Sequence, residues 1–280
     1  MRLIFSVALT LAGAFLREAA GEAISEFPFQ YREGMIWVQV RVPQSPNALS
    51  FLLDSGASVS AIDLGAAKRL GIKLGEPVSV RGVHATIGGF WPQRLSAQAG
   101  GVRLPRDYLA IDLAGLGKAC GSELDGLLGA DFFRQHIVQI DFSTKTVRLL
   151  KRGYSYAGGE VVPLETRRCG LRIRIRVNDN EPQWVRLDTG CATPLQWVTS
   201  SVDPKNCMPQ MAVALTKLCI ATTHVQVQIG SRKFASVSAG LHELPIFAGE
   251  SGLLGNELLS RFQVVTIDSK AGHIILQKCP

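Results

Sequence analysis

LSFLLDSGAS at residues 49–58 and WVRLDTGCAT at residues 184–193 decide how this chain is read. Each is an apolar run that stops at Asp-(Ser/Thr)-Gly. Leu49 to Leu53 ends in Asp54-Ser55-Gly56-Ala57-Ser58, and Trp184 to Leu187 ends in Asp188-Thr189-Gly190-Cys191-Ala192-Thr193. An alternating stretch and a turn precede both: MIWVQVRV (Met35 to Val42) with PQSPN, and LRIRIRV (Leu171 to Val177) with NDNEP. Alternation with a period near two is the pattern of a half-buried strand, so each stretch is expected to form a hairpin delivering its Asp to a turn. The spacing agrees, with 18 residues from Ile36 to Asp54 and 17 from Leu171 to Asp188.

The parallel resumes downstream. Asp125-Gly126-Leu127-Leu128-Gly129-Ala130-Asp131-Phe132-Phe133 corresponds to Ser251-Gly252-Leu253-Leu254-Gly255-Asn256-Glu257-Leu258-Leu259. Apolar strands ending in Ile-Asp follow at Ile137 to Asp141 and Val264 to Asp268, then a turn and final strands at Val147 to Leu150 and His273 to Leu276. Three matched blocks in one order are the signature of an internal repeat. The expected organisation is a unit over 24–152 and a second over 158–280, joined by the turn-rich KRGYSYAGG (151–159). Helix is expected only at Asp63 to Leu70, with Asp63 as N-cap and Gly71 as stop, and briefly after each Gly-Leu-Leu-Gly.

An apolar strand ending in Asp-(Ser/Thr)-Gly with an apolar-apolar-Gly block downstream resembles the retropepsin and pepsin aspartic proteases, most closely the bacterial retropepsin-like proteins. Leu127 follows Asp54 by 73 residues, and Leu253 follows Asp188 by 65. The resemblance spans nearly all of the chain after its N-terminal segment. It implies an all-β fold of two homologous retropepsin-like β-barrel lobes, in the pepsin-like bilobal arrangement, with the active-site cleft between them. It also implies catalysis by Asp54 and Asp188, with Ser55 and Thr189 locking the two loops across the junction.

The residue types suit that chemistry. Gly56 and Gly190, lacking Cβ, permit a sharp loop and close approach of backbone N–H groups to the carboxylates. Two carboxylates held together cannot both ionise easily and so share a proton. The ionised one activates a water and the protonated one donates to the peptide carbonyl. No metal and no cofactor is called for, and the five histidines have no ligand spacing. Neither Ala57 nor Cys191 offers a hydroxyl to the carboxylates, so a pH optimum nearer weakly acidic or neutral than that of pepsin is expected. The second copy departs from the family pattern at Cys191 and Ala192, which leaves a non-catalytic, peptide-binding pseudoprotease of the envelope as the alternative function. Another is an inhibitor or structural envelope protein, which would lack a deep cleft between the halves.

Val78 to Leu95 has the Gly-rich hairpin character of a substrate flap, with Gly82 in it and Phe90 and Trp91 as candidate substrate-facing aromatics. The period does not separate that placement from core packing for the two rings. The second-half equivalent is roughly Cys207 to Thr223.

Arg2 and the apolar run Leu3 to Leu16 read as a secretory signal peptide over residues 1–23, too short to span a bilayer, which takes about 20 apolar residues. A periplasmic or secreted monomer acting on peptide or protein substrates follows, without stable membrane insertion once the signal is removed. The net charge of +7 is scattered, and Arg172, Arg174 and Arg176 read as one solvated strand face. No aromatic nucleic-acid motif accompanies them, so nucleic acid is not an expected partner. Six cysteines in an exported chain suggest disulfides. Cys207 with Cys219 and Cys169 with Cys279 are conjectural pairings, with Cys120 and Cys191 left by elimination. Whether Cys191 is free or bonded stays open.

Overall fold

The computed structural model describes residues 23–83, 86–156, 158–200, 207–211 and 217–278, and the side chains of 207–211 and 217–219 are outside this description. The expected signal peptide therefore lies outside the described residues apart from Ala23, which begins the first strand. The chain is nearly all β, with barrel character.

The expected strands form where the alternation places them. Met35–Val40 pairs antiparallel with Leu49–Leu53, and Gly170–Val177 with Gln183–Leu187. Each block downstream then docks beside the strand that precedes an Asp. Gly126–Leu128 lies parallel to Leu49–Leu53, with Leu128 opposite Leu53, and antiparallel to Ala61–Asp63. Gly252–Leu254 lies parallel to Gln183–Leu187, with Leu254 opposite Leu187, and antiparallel to Leu195–Val198. A further parallel pairing completes each arrangement, Ala61–Asp63 with Asp107–Ile111 and Leu195–Val198 with Arg232–His242. The same pattern of pairings thus occurs in both halves of the chain.

One antiparallel sheet joins the halves. Its six strands run in the order Ala23–Arg32, Thr146–Leu150, Ile137–Asp141, Val264–Asp268, His273–Gln277 and Glu160–Arg167. The central pairing of Ile137–Asp141 with Val264–Asp268 crosses from one half to the other, and Val138, Ile140, Val265 and Ile267 are buried in one apolar core. A smaller cluster, including Met35, Trp37, Leu52, Ala61, Ile111, Leu124 and Leu127, packs in the first half.

The helix at Leu64–Arg69 forms as its caps predict. Asp63 accepts from Ala66 N at 3.0 Å, and Gly71 leaves the helix at φ +65°. Ala130–Gln135 and Asn256–Leu259 follow the two Gly-Leu-Leu-Gly blocks. Ala114–Ala119 is a helix the residues did not announce, since Leu113 caps it without a side-chain bond and Gly115 and Gly117 dilute its propensity.

The arginine series is not one solvated face. Arg172 is buried, and its Nη2 donates to both Glu165 oxygens at 2.8 and 2.9 Å. The pairing of Glu165 with Arg172 across adjacent strands explains this. Trp184 lies against the guanidinium groups of both Arg172 and Arg174, at 4.4 and 4.9 Å. Cys120, Cys169 and Cys191 are free, so the pairing of Cys120 with Cys191 is not formed. The same holds for Cys169 with Cys279, since Cys169 is free. The side chains of Cys207 and Cys219 lie outside the described residues, and that conjectured pairing with them.

Candidate active site

Asp54 and Asp188 sit where two strands end and two others support them. Asp54 N donates to Leu128 O and Asp188 N to Leu254 O, both at 2.9 Å. Each Gly that closes a Gly-Leu-Leu-Gly block lies against the loop it supports. A Cβ on Gly129 would collide with the Val59 backbone, and one on Gly255 with Thr193 O. This close fit places each Asp from behind.

The two loops are locked together by four reciprocal bonds. Ser55 N donates to Thr189 Oγ1 at 2.9 Å, and Thr189 N to Ser55 Oγ at 3.0 Å. Ser55 Oγ donates to Leu187 O at 2.7 Å, and Thr189 Oγ1 to Leu53 O at 3.0 Å. Both hydroxyls are fully buried, so their polar atoms are satisfied across the junction instead of by water. Gly56 faces the Asp188 carboxylate and Gly190 the Asp54 carboxylate so closely that a Cβ on either glycine would collide with the opposite carboxylate. The expected site residues Asp54, Ser55, Gly56, Asp188, Thr189 and Gly190 are therefore brought together at one point.

The electrostatics of the pair are unequal. Asp54 Oδ1 accepts from Gly56 N and Ala57 N, at 3.1 and 3.0 Å, whereas Asp188 Oδ1 accepts from Gly190 N alone, at 2.9 Å. Burial pushes both carboxyls above the usual range. At Asp188 the neighbouring Asp54 charge acts in the same direction as burial. Such a pair holds one proton between its carboxyls and titrates as a unit.

A cleft of about 770 Å³ opens over the pair. On the first-half side it is lined by Met35, Ala61, Val80, Ile111 and Leu127, and on the second-half side by Cys191, Gln196, His242, Ile246 and Phe247. The stretch expected to act as a flap forms a hairpin of Glu76–Arg81 with Thr86–Arg94. Gly82 and Trp91 line the cleft. Phe90 does not; it packs against the main core and pairs with Ala110, because successive residues of a strand face opposite sides. In the second half, Cys207–Met211 pairs with Lys217–Ile229, and Ile220 reaches the cleft.

Cys191 is half-buried, with its Sγ 3.2 Å from Thr193 Oγ1. Burial, and then the neighbouring Asp188 charge, push its thiol up to about 12. Three further residues belong to the site and were not foreseen. His242 and Gln196 are hydrogen-bonded at 2.7 Å. Arg186 is buried two positions before Asp188 and ion-paired to Glu250. A charged residue inside a short apolar strand was the available signal for Arg186. No sequence signal set His242 apart from the other histidines. Among the described residues, no group of His, Cys, Asp and Glu could hold a metal ion.

Residues 38–132 match the family described as aspartyl protease, which is retropepsin-like. The match includes Asp54, Ser55, Gly56 and Gly126-Leu127-Leu128-Gly129, and it ends before the second half. No curated protein matches the chain.

Proposed function

We propose that the chain is an aspartic endopeptidase in which Asp54 and Asp188 together activate water against a peptide bond. The observation that carries this reading is the reciprocal Ser55–Thr189 lock, which holds two buried carboxyls against each other at the base of an open cleft. The family match supports a peptidase through the first half, and the equivalent pairings of the second half support Asp188 as the partner of Asp54.

An extended peptide lies in the cleft under the hairpin that carries Gly82. The ionised member of the pair takes a proton from a water as that water attacks the carbonyl carbon, and the protonated member donates to the carbonyl oxygen. A tetrahedral gem-diol results. In the second step one carboxyl protonates the amide nitrogen while the other takes a hydroxyl proton back, and the C–N bond breaks. The pair ends with the single proton it began with, and no covalent enzyme intermediate forms. Asp54, with two backbone N–H donors, is the better initial base, and Asp188 the initial acid.

Two homologous lobes over 24–152 and 158–280, a signal peptide over 1–23, and a periplasmic or secreted location complete the proposal. The mature protein should cleave an unbiased peptide library within pH 3 to 8 and be blocked by pepstatin-like inhibitors. A folded protein that binds peptides but cleaves none would favour the pseudoprotease reading instead.

A further inference from the structure

The two halves differ sharply beside their catalytic loops. In the first half, the residue two before Asp54 is Leu52; its cross-strand partner is Trp37, and Leu124 precedes the supporting block. All three are buried in one apolar cluster. At the same three positions of the second half stand Arg186, Arg172 and Glu250. Arg186 and Glu250 have side chains 4% and 3% exposed. Arg186 Nε and Nη2 donate to the two Glu250 oxygens at 2.9 and 3.0 Å. The Phe247 ring lies 3.6 Å from the guanidinium carbon, and Gly170 opposite leaves room for it, since a Cβ there would meet the guanidinium.

Packing alone does not call for these charges. The first half fills the same space with Trp37, Leu52 and Leu124, and a buried ion pair is often no more stabilising than well-packed apolar side chains. What Arg186 adds is a bond that Leu52 cannot make. Its remaining nitrogen, Nη1, crosses the junction and donates to Gly56 O at 3.1 Å, and Gly56 is the residue whose backbone faces the Asp188 carboxylate.

We propose that Arg186, held by Glu250, is a positioning residue for the Asp54–Asp188 pair: it fixes the Gly56 loop from the opposite half and supplies a buried cation beside the two carboxyls. This inference rests on the dyad reading above. The direction of the charge effect is consistent, since Arg186 favours the ionised form of each Asp against their burial. Other charged or titratable groups face the same region. Glu250 and the Arg172–Glu165 pair adjoin Arg186, the Cys191 thiol sits on the Asp188 loop, and His242, Glu33 and Arg81 line the cleft. Both Glu250 oxygens are turned to Nε and Nη2, so the side of the guanidinium aimed at the dyad loop is Nη1.

The test replaces the ion pair with its counterpart in the first half, as Arg186→Leu with Glu250→Leu, and adds Arg186→Lys as a variant that keeps the charge but not the fork. Carboxyl titration by 13C NMR reads the dyad whether or not the protein turns over, and the pH–rate profile reads it in action. The double variant is expected to fold, with the first ionisation of the dyad and the acid limb of the rate each moved upward by about one pH unit. Arg186→Lys is expected to keep the wild-type midpoint and lose kcat about tenfold, because an ammonium lacks the planar fork that holds both Glu250 oxygens and Gly56 O in fixed geometry. An unmoved midpoint in a folded double variant, or wild-type kcat in Arg186→Lys, overturns the proposal. If the double variant does not fold, Arg186→Lys decides alone. If the wild type cleaves nothing at any pH, the peptidase reading fails, while the NMR titration still decides the role of Arg186.

Discussion

Asp188 receives one backbone N–H bond where Asp54 receives two, and it is buried beside the Asp54 charge. The consequence for stability follows from sign. Its folded-state pKa lies well above the ordinary value of 3.8, so the native state favours the protonated form. That favourable contribution is complete below about pH 3.8 and is lost as pH rises through the raised value. Asp188→Asn should therefore raise the melting temperature at pH 7.5, with the gain vanishing near pH 3.5. A gain independent of pH would place the effect elsewhere. The Cys191 thiol, pushed up to about 12, should stay protonated at pH 8 and react slowly with iodoacetamide, while exposed Cys169 reacts readily. Mass spectrometry of the labelled peptides checks this. At this scale the two aspartates were legible because they recur at equivalent points of two matched stretches. Arg186 was not, because its partner Glu250 is 64 residues away and only the fold brings them together.

Among the elements, the hairpins and supporting strands were readable from alternation, and the Leu64–Arg69 helix from its caps. Asp63 does more than cap: its second oxygen accepts from Leu113 N at 2.8 Å, tying the helix start to the chain that leaves Asp107–Ile111. Asp63→Ala should cost about 0.5–2 kcal/mol from the cap alone, and more with the second bond lost, read as a lower denaturant midpoint at unchanged slope. The flap hairpin was legible as a hairpin, but its facing was not. Phe90 and Trp91 are adjacent and equally apolar, and only the pairing of Phe90 with Ala110 turns one ring to the core and leaves the other at the cleft. The second-half wall escaped for a similar reason. Gln196 and His242 lie on strands whose parallel pairing the local pattern does not encode.

Across the whole molecule, the halves meet at the six-stranded sheet and at the Ser55–Thr189 lock. The segment between them is tied down as well. Tyr156 donates to Asp268 Oδ2 at 3.1 Å, and its oxygen is 2.8 Å from His273 Nε2. Continuity of the chain through residues 151–159 should therefore matter little once the protein has folded. With a specific cleavage site inserted next to Gly153, nicking should leave the two fragments eluting together at the intact size in gel filtration. Separation of the fragments would mean that the central pairing of Ile137–Asp141 with Val264–Asp268 is weaker than its burial implies. The most direct measurement of the central claim is peptide cleavage by Asp54→Asn and Asp188→Asn, each beside the wild type and each shown to be folded. Loss of one general acid–base partner should lower kcat by at least about 100-fold in both variants. Wild-type turnover in either would show that the pair does not carry the chemistry.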